Sequence, residues 1–255
     1  MTSAVPPNSQ EHAADGAASQ DELRMAAPVS SDQGHTEDSA LSLLGKTDLA
    51  VETIETLAHT ASLLKYRRVK LALVTHPRTP RHISLPLLRQ MYTFDLMQVA
   101  LTAVVAGDLK RAAEDSLCAR LESVPAGERT SLARKASGRV AATLLLDKDA
   151  RVMQAALQNG RLTEAHVIQA LMRPNSSISL VEAICHHRDW SVRREVRAAL
   201  LRHEKTPMAR AMEFARSFAP PQLQEILRTS KLPENIKGYL LRELAQRGKG
   251  TGAGR

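Results

Sequence analysis

The chain has 255 residues, 43% of them hydrophobic but only 3% aromatic, and a formal net charge of +8. That length and apolar content support a sizeable core, while no apolar stretch nears the roughly 18 residues needed to cross a bilayer, and no basic start with an apolar run marks a secretory leader. Ala and Leu dominate the apolar set and strictly alternating Val-Ile-Tyr-Phe runs are scarce, so an all-α, cytoplasmic protein is expected.

The charge is unevenly spread. Residues 1 to 38 hold seven acids against Arg24 alone, a net −6, which leaves +14 on the remainder. This acidic, Ala/Ser/Gln/Pro-rich segment has too few large apolar residues to offset its ordering entropy, and a disordered tail is expected there. A strongly basic body calls for acidic partners, and the tail itself is one candidate.

After the tail, Leu41, Leu43 and Leu44 open a short helix ended near Gly45, and Thr47-Asp48 offers side-chain oxygens to cap the next. Val51, Ile54, Leu57 and Ala58 recur at helical spacing. A break near residues 60–62 precedes a helix over 63–76. Further helices are expected over 80–92, 95–105, 108–121, 126–137, 139–146, 150–158 and 163–172, then 190–203, 207–218, 221–229 and 233–247. Gly160 sits where a helix end favours a left-handed residue, and Thr163 where the next helix takes a cap. Residues 248–255, rich in Gly, read as a flexible basic end.

Residues 46 to 120 align without a gap on residues 173 to 247, at a constant offset of 127, inside a helical body spanning 39 to 247. The clearest run sets Val69 to Pro80 against Val196 to Pro207, each closing on His, then Thr-Pro. The string Gln154 to Glu164 echoes Arg197 to Pro207 at an offset of 43, near the length of a two-helix repeat. Thr79-Pro80 and Thr206-Pro207 read as punctuation: threonine at an N-cap and proline at the first helical position. On the helix over 190–203, Val192, Val196, Ala199, Leu200 and His203 form one apolar face, with Trp190, Ala198 and Leu201 opposite. Such a helix suits packing between neighbours.

Short helices, a period of about 40 residues and the Arg-x-Ala-Leu-x-x-x-x-x-Thr-Pro pattern, with Lys70 in the Arg position of the first copy, resemble bacterial HEAT-like repeats of the leucine-rich-repeat-variant type. The resemblance covers roughly residues 40 to 247. It implies a right-handed α-solenoid and says little of function; the duplication, with no catalytic motif in the sequence, leads to the expectation of a non-enzymatic scaffold for protein–protein interaction through a basic or concave face. Two alternatives stand beside it: a nucleic-acid binder contacting the phosphate backbone, as in HEAT-like DNA glycosylases, and a HEAT-like lyase or enzyme accessory.

No catalytic, cofactor or metal motif emerges. Glu55 and His59 recur as Glu182 and His186, a carboxylate one helical turn before an imidazole, but two ligands make no metal site and an exposed helix-stabilising pair explains them. Cys185, His186 and His187 point about 100° apart on a helix. His76 and His203 end equivalent helices, where a ring can meet terminal carbonyls. Cys118 and Cys185 align with Ala245 and Ala58, as small packing residues would. Arg67 matches Arg194 and Lys70 matches Arg197; with Arg193 these are the candidate partner-binding residues. The competing reading is that their long stems cover apolar surface and their charges meet local acids.

Overall fold

A computed structural model describes residues 36–250 of the chain, with side chains to 246. Among the described residues every regular element is a helix, and there is no strand. The first group is α1 (Glu37–Leu44), α2 (Val51–His59), α3 (Arg67–Thr75), α4 (Arg81–Arg89), α5 (Thr93–Leu101) and α6 (Gly107–Arg120). Then come α7 (Ala126–Lys135), α8 (Gly138–Leu144), α9 (Ala150–Leu157) and α10 (Glu164–Met172). The last are α11 (Ile178–His186), α12 (Arg194–Arg202), α13 (Met208–Ala215), α14 (Pro220–Arg228) and α15 (Glu234–Gly250). Short 3-10 turns occupy Leu63–Lys65 and Leu121–Ser123.

The helices α2 to α6 begin at residues 51, 67, 81, 93 and 107, and α11 to α15 begin 127 residues later in each case. The same pairs pack in both sets: α3 on α4 and α5, α12 on α13 and α14, and likewise α4 on α6 and α13 on α15. Buried positions coincide too, with Ile54, Val69, Leu73 and Leu96 matched by Val181, Val196, Leu200 and Leu223. All principal helix–helix contacts join elements one or two places apart in chain order. One row runs through α4, α6, α8, α10, α12 and α14, and a flanking row includes α7, α9 and α11. Ala and Leu at helical spacing supply this packing; small Ala side chains such as Ala113, Ala141 and Ala156 are fully buried and let helices approach closely.

Several expectations are corrected by the geometry. The helices expected over 63–76 and 190–203 each break, because Tyr66 and Arg193 take extended backbone before α3 and α12 begin. Val192 therefore lies outside the helix and is 62% exposed, while Trp190 is folded inward and its Nε1–H donates to the Leu157 carbonyl at 2.9 Å. Thr79 and Thr206 do not cap the helices that follow them. Pro80 and Pro207 are the N-cap residues, and the threonine hydroxyls donate backward to the carbonyls of Leu73 and Leu200, both at 2.6 Å. The Leu73 carbonyl faces Pro77, which has no N–H to give, and relies on the Thr79 hydroxyl, whereas the Leu200 carbonyl also accepts the N–H of His203 at 3.0 Å. Thr47-Asp48 does not cap α2, whose N-cap is Ala50. Gly160 is not left-handed, and α9 is closed by Gln158.

Thr163 does cap α10, in a reciprocal box with His166. The acidic segment lies outside the described residues up to residue 35, but Glu37 and Asp38 form the first turn of α1, capped by Thr36. Acids there complement the positive end of the helix dipole. At the other end α15 extends through Gly250, beyond the expected boundary at 247, and the remaining residues lie outside the described part.

Candidate interaction surface

The residues following many helices carry side chains that bind carbonyls at the ends of helices two places away. His76 Nδ1 accepts the N–H of Arg78 at 3.2 Å, which leaves Nε2 as the protonated nitrogen of the neutral ring, and it meets the Lys46 carbonyl at 2.9 Å. Asn159 donates to the carbonyls of Ala133 and Ala136 and accepts the N–H of Arg161 at 2.8 Å. Ser230 donates to Leu201 and accepts the N–H of Leu232. His203 and His187 accept the N–H groups of Lys205 and Asp189 in the same way. These side chains satisfy backbone groups that would otherwise be orphaned, and the histidines are structural in geometry. Burial, then the nearby Lys205 charge, push the His203 pKa below its ordinary value of 6.5.

The expected Glu–His helical pairs are not formed. Glu55 faces His82 at 3.7 Å rather than His59, and His186 bonds the backbone carbonyl of Glu182 at 2.8 Å. No group of three or more His, Cys, Asp and Glu able to hold a metal occurs among the described residues. Both cysteines are free thiols. Burial pushes the Cys185 thiol up to about 11 and raises that of Cys118 as well, which keeps the nucleophilic thiolate scarce.

Each candidate partner-binding residue has a definite setting. Arg67 holds Asp95 and its guanidinium lies 5.5 Å from the Tyr92 ring. Arg194 donates to Gln222 at 2.5 Å and lies over Phe218. Arg197 donates to the Ser191 carbonyl at 2.7 Å and lies over Phe214. Arg193 covers Trp190 at 4.6 Å and stands 3.9 Å from Glu164. The half-buried Lys70 makes no side-chain hydrogen bond or ion pair with the described residues. The copies are therefore not electrically equivalent: the Arg67 charge meets a carboxylate, whereas Arg194 meets a neutral amide.

Sequence reasoning missed a second set of polar residues, on α7, α9 and α11. A depression of about 390 Å³ between α7 and α9 is lined by Thr130, Arg134, Arg151, Gln154 and Gln158 over a floor of Ala126, Gly127 and Ala155. Gln154 and Gln158 also line the next depression, shared with Ala183, His186 and His187 of the α11 end. His187 continues into a third, beside Trp190 and Arg193. The only signal in the sequence was the four-residue spacing of Thr130 and Arg134 and of Gln154 and Gln158. Nothing in it shows that α7, α9 and α11 are neighbours.

No helix among the described residues is long and apolar enough to cross a membrane. No protein-family model, curated protein or solved structure matches the chain.

Proposed function

We propose that the chain is a right-handed α-solenoid of HEAT-like repeats that works in the cytoplasm as a non-enzymatic scaffold and binds an acidic partner protein. The observation that carries this reading is that the principal helix packing joins neighbours one or two places apart, repeated in two sets of five helices with identical spacing. A stack of that kind leaves long exposed rows of helix surface, the usual binding face of repeat proteins. The net charge of +14 outside residues 1 to 38 selects acidic ligands.

Nucleic acid is the second reading, favoured by the same charge and by the repeated Arg67 and Arg194 positions. Both are engaged by the protein's own side chains, which supports the protein-binding reading over phosphate tracking. Affinity capture on the immobilised full-length chain from nuclease-treated extract is the test. A defined acidic protein retained at physiological salt and released at high salt is expected. Recovery of nucleic acid in untreated extract, with no protein in the treated one, would overturn the reading.

A further inference from the structure

We propose that the continuous depression across α7, α9 and α11 is the docking groove for an extended acidic peptide segment of the partner, clamped by Arg134 and by the paired amides of Gln154 and Gln158. The proposal rests on the scaffold reading and adds the place and the chemistry of the contact.

Three observations on different elements converge. First, the depressions are contiguous: Gln154 and Gln158 line the first two, and Leu157, Gln158 and His187 the second and third. Secondly, three of the polar side chains that line it are free, although Thr130, Arg151, His186 and His187 already bond neighbouring groups. Arg134, Gln154 and Gln158 are exposed and their side chains make no hydrogen bond or ion pair with the described residues. That contrasts with Arg67, Arg139 and Arg216, each already facing a carboxylate. Thirdly, no carboxylate lines the first two depressions, and the floor of Ala126, Gly127 and Ala155 lets a backbone approach closely.

The chemistry selects a peptide. Each glutamine amide offers one acceptor and a pair of donors, matching the N–H and C=O of an extended backbone, whereas a phosphodiester only accepts and would leave the glutamine carbonyls unused. Nucleic acid would also want an exposed ring for base stacking. The ring at the far end, Trp190, is buried and covered by Arg193. Arg134 and the exposed Arg151, which already touches Asp149 at 3.1 Å, supply the positive field that selects carboxylates. Adjacent helix axes stand about 8–10 Å apart, so α7 to α11 spans roughly 16–20 Å. An extended chain covers that distance with about six residues.

The test titrates the full-length chain with an end-blocked peptide of about six residues alternating Asp and Gly, with the Lys-for-Asp peptide and a single-stranded oligonucleotide of similar length as comparisons. Calorimetry gives the affinity, and Trp190, the only tryptophan in the chain, gives a fluorescence signal beside the groove. The expected result is binding of the Asp peptide alone, weakened about tenfold or more by Arg134→Glu and separately by Gln154→Ala with Gln158→Ala. These positions are exposed, so the helical circular dichroism and the unfolding temperature should be unchanged. Equal binding of the Lys peptide, preference for the oligonucleotide, no binding at all, or indifference to both variants would overturn the groove. If a captured acidic protein still binds the Arg134→Glu chain as well as the wild type, the groove fails while the scaffold stands. If no protein is captured at all, it is the scaffold reading that has failed.

Discussion

Arg67 grips Asp95 through three contacts: Nε donates to both carboxylate oxygens at 2.9 and 2.8 Å, and Nη2 donates to Oδ1 at 2.8 Å. The carboxylate is nearly buried at 6% exposure while the arginine is 58% exposed, so the pair staples the start of α3 to the first turn of α5. The equivalent contact, Arg194 to Gln222, joins α12 to α14 without the second charge. Removing the arginine should therefore cost more in the first copy, where it strands a buried carboxylate. Arg67→Ala should lower stability by about 1–3 kcal/mol, and Arg194→Ala by less than about 1 kcal/mol, in denaturant unfolding.

The backward hydroxyl bond of Thr79 should be worth more than that of Thr206, because the Leu200 carbonyl also holds the N–H of His203. Thr→Val keeps the shape and deletes the hydroxyl donor, at a cost of about 1 kcal/mol at position 79 and less at position 206, where the His203 N–H remains on the carbonyl. The sites have different partners and lie in separate sets of helices. The double variant should then lose about the sum, within roughly 0.5 kcal/mol, in the same measurement.

Two glycines should respond in opposite ways. A Cβ on Gly138 would stand 2.2 Å from the Arg161 carbonyl oxygen and 2.9 Å from His166 Cε1, because α8 starts directly against the entry to α10. Gly138→Ala should cost about 1–3 kcal/mol as these elements are pushed apart. A Cβ on Gly160 meets nothing within 4 Å. Gly160→Ala should be neutral or stabilising by up to about 1 kcal/mol, through the reduced freedom of the unfolded chain. Thermal unfolding of the two variants distinguishes them directly.

His203 should make stability fall in mild acid. Its folded pKa lies below 6.5, so between the folded value and 6.5 the unfolded chain holds more protons than the native one. Stability from this group is complete above 6.5 and is lost as pH falls toward the folded pKa. His203→Asn keeps an acceptor for the Lys205 N–H and should flatten this part of the pH profile of unfolding.

The thiols should be slow to react in the native state. With burial raising both pKa values, alkylation of folded protein at neutral pH should lag far behind that of unfolded protein. Cys185→Ala, which installs the residue found at the matching position 58, should leave the fold intact.

Helix content and most helix positions were legible from the spacing of Ala, Leu and Val, since that spacing reports one buried face per helix. The breaks at Tyr66 and Arg193 were not, because the apolar pattern of Val69 and Val196 extends smoothly upstream to Leu63 and Trp190. Those two residues are buried by the turn folding back, outside the α-helix, which periodicity cannot distinguish. The Thr-Pro pairs were visible as helix boundaries, but the direction of the hydroxyl bond depends on how the preceding helix ends. Pro86, read alone a helix breaker, lies inside α4. Gly138 gave no sign of its importance, since the atoms that crowd it come from Arg161 and His166. The α7–α9–α11 depression was invisible for the same reason: its residues are ordinary until the three helices are placed side by side.

Competition separates a protein-binding scaffold from a nucleic-acid binder. With the captured acidic protein labelled and bound to the full-length chain at physiological salt, excess duplex DNA should fail to displace it, while the unlabelled partner should do so fully. Displacement by DNA, with apparent affinity falling steeply as salt rises, would show that the basic surface serves phosphate and that the chain is not a protein-binding scaffold.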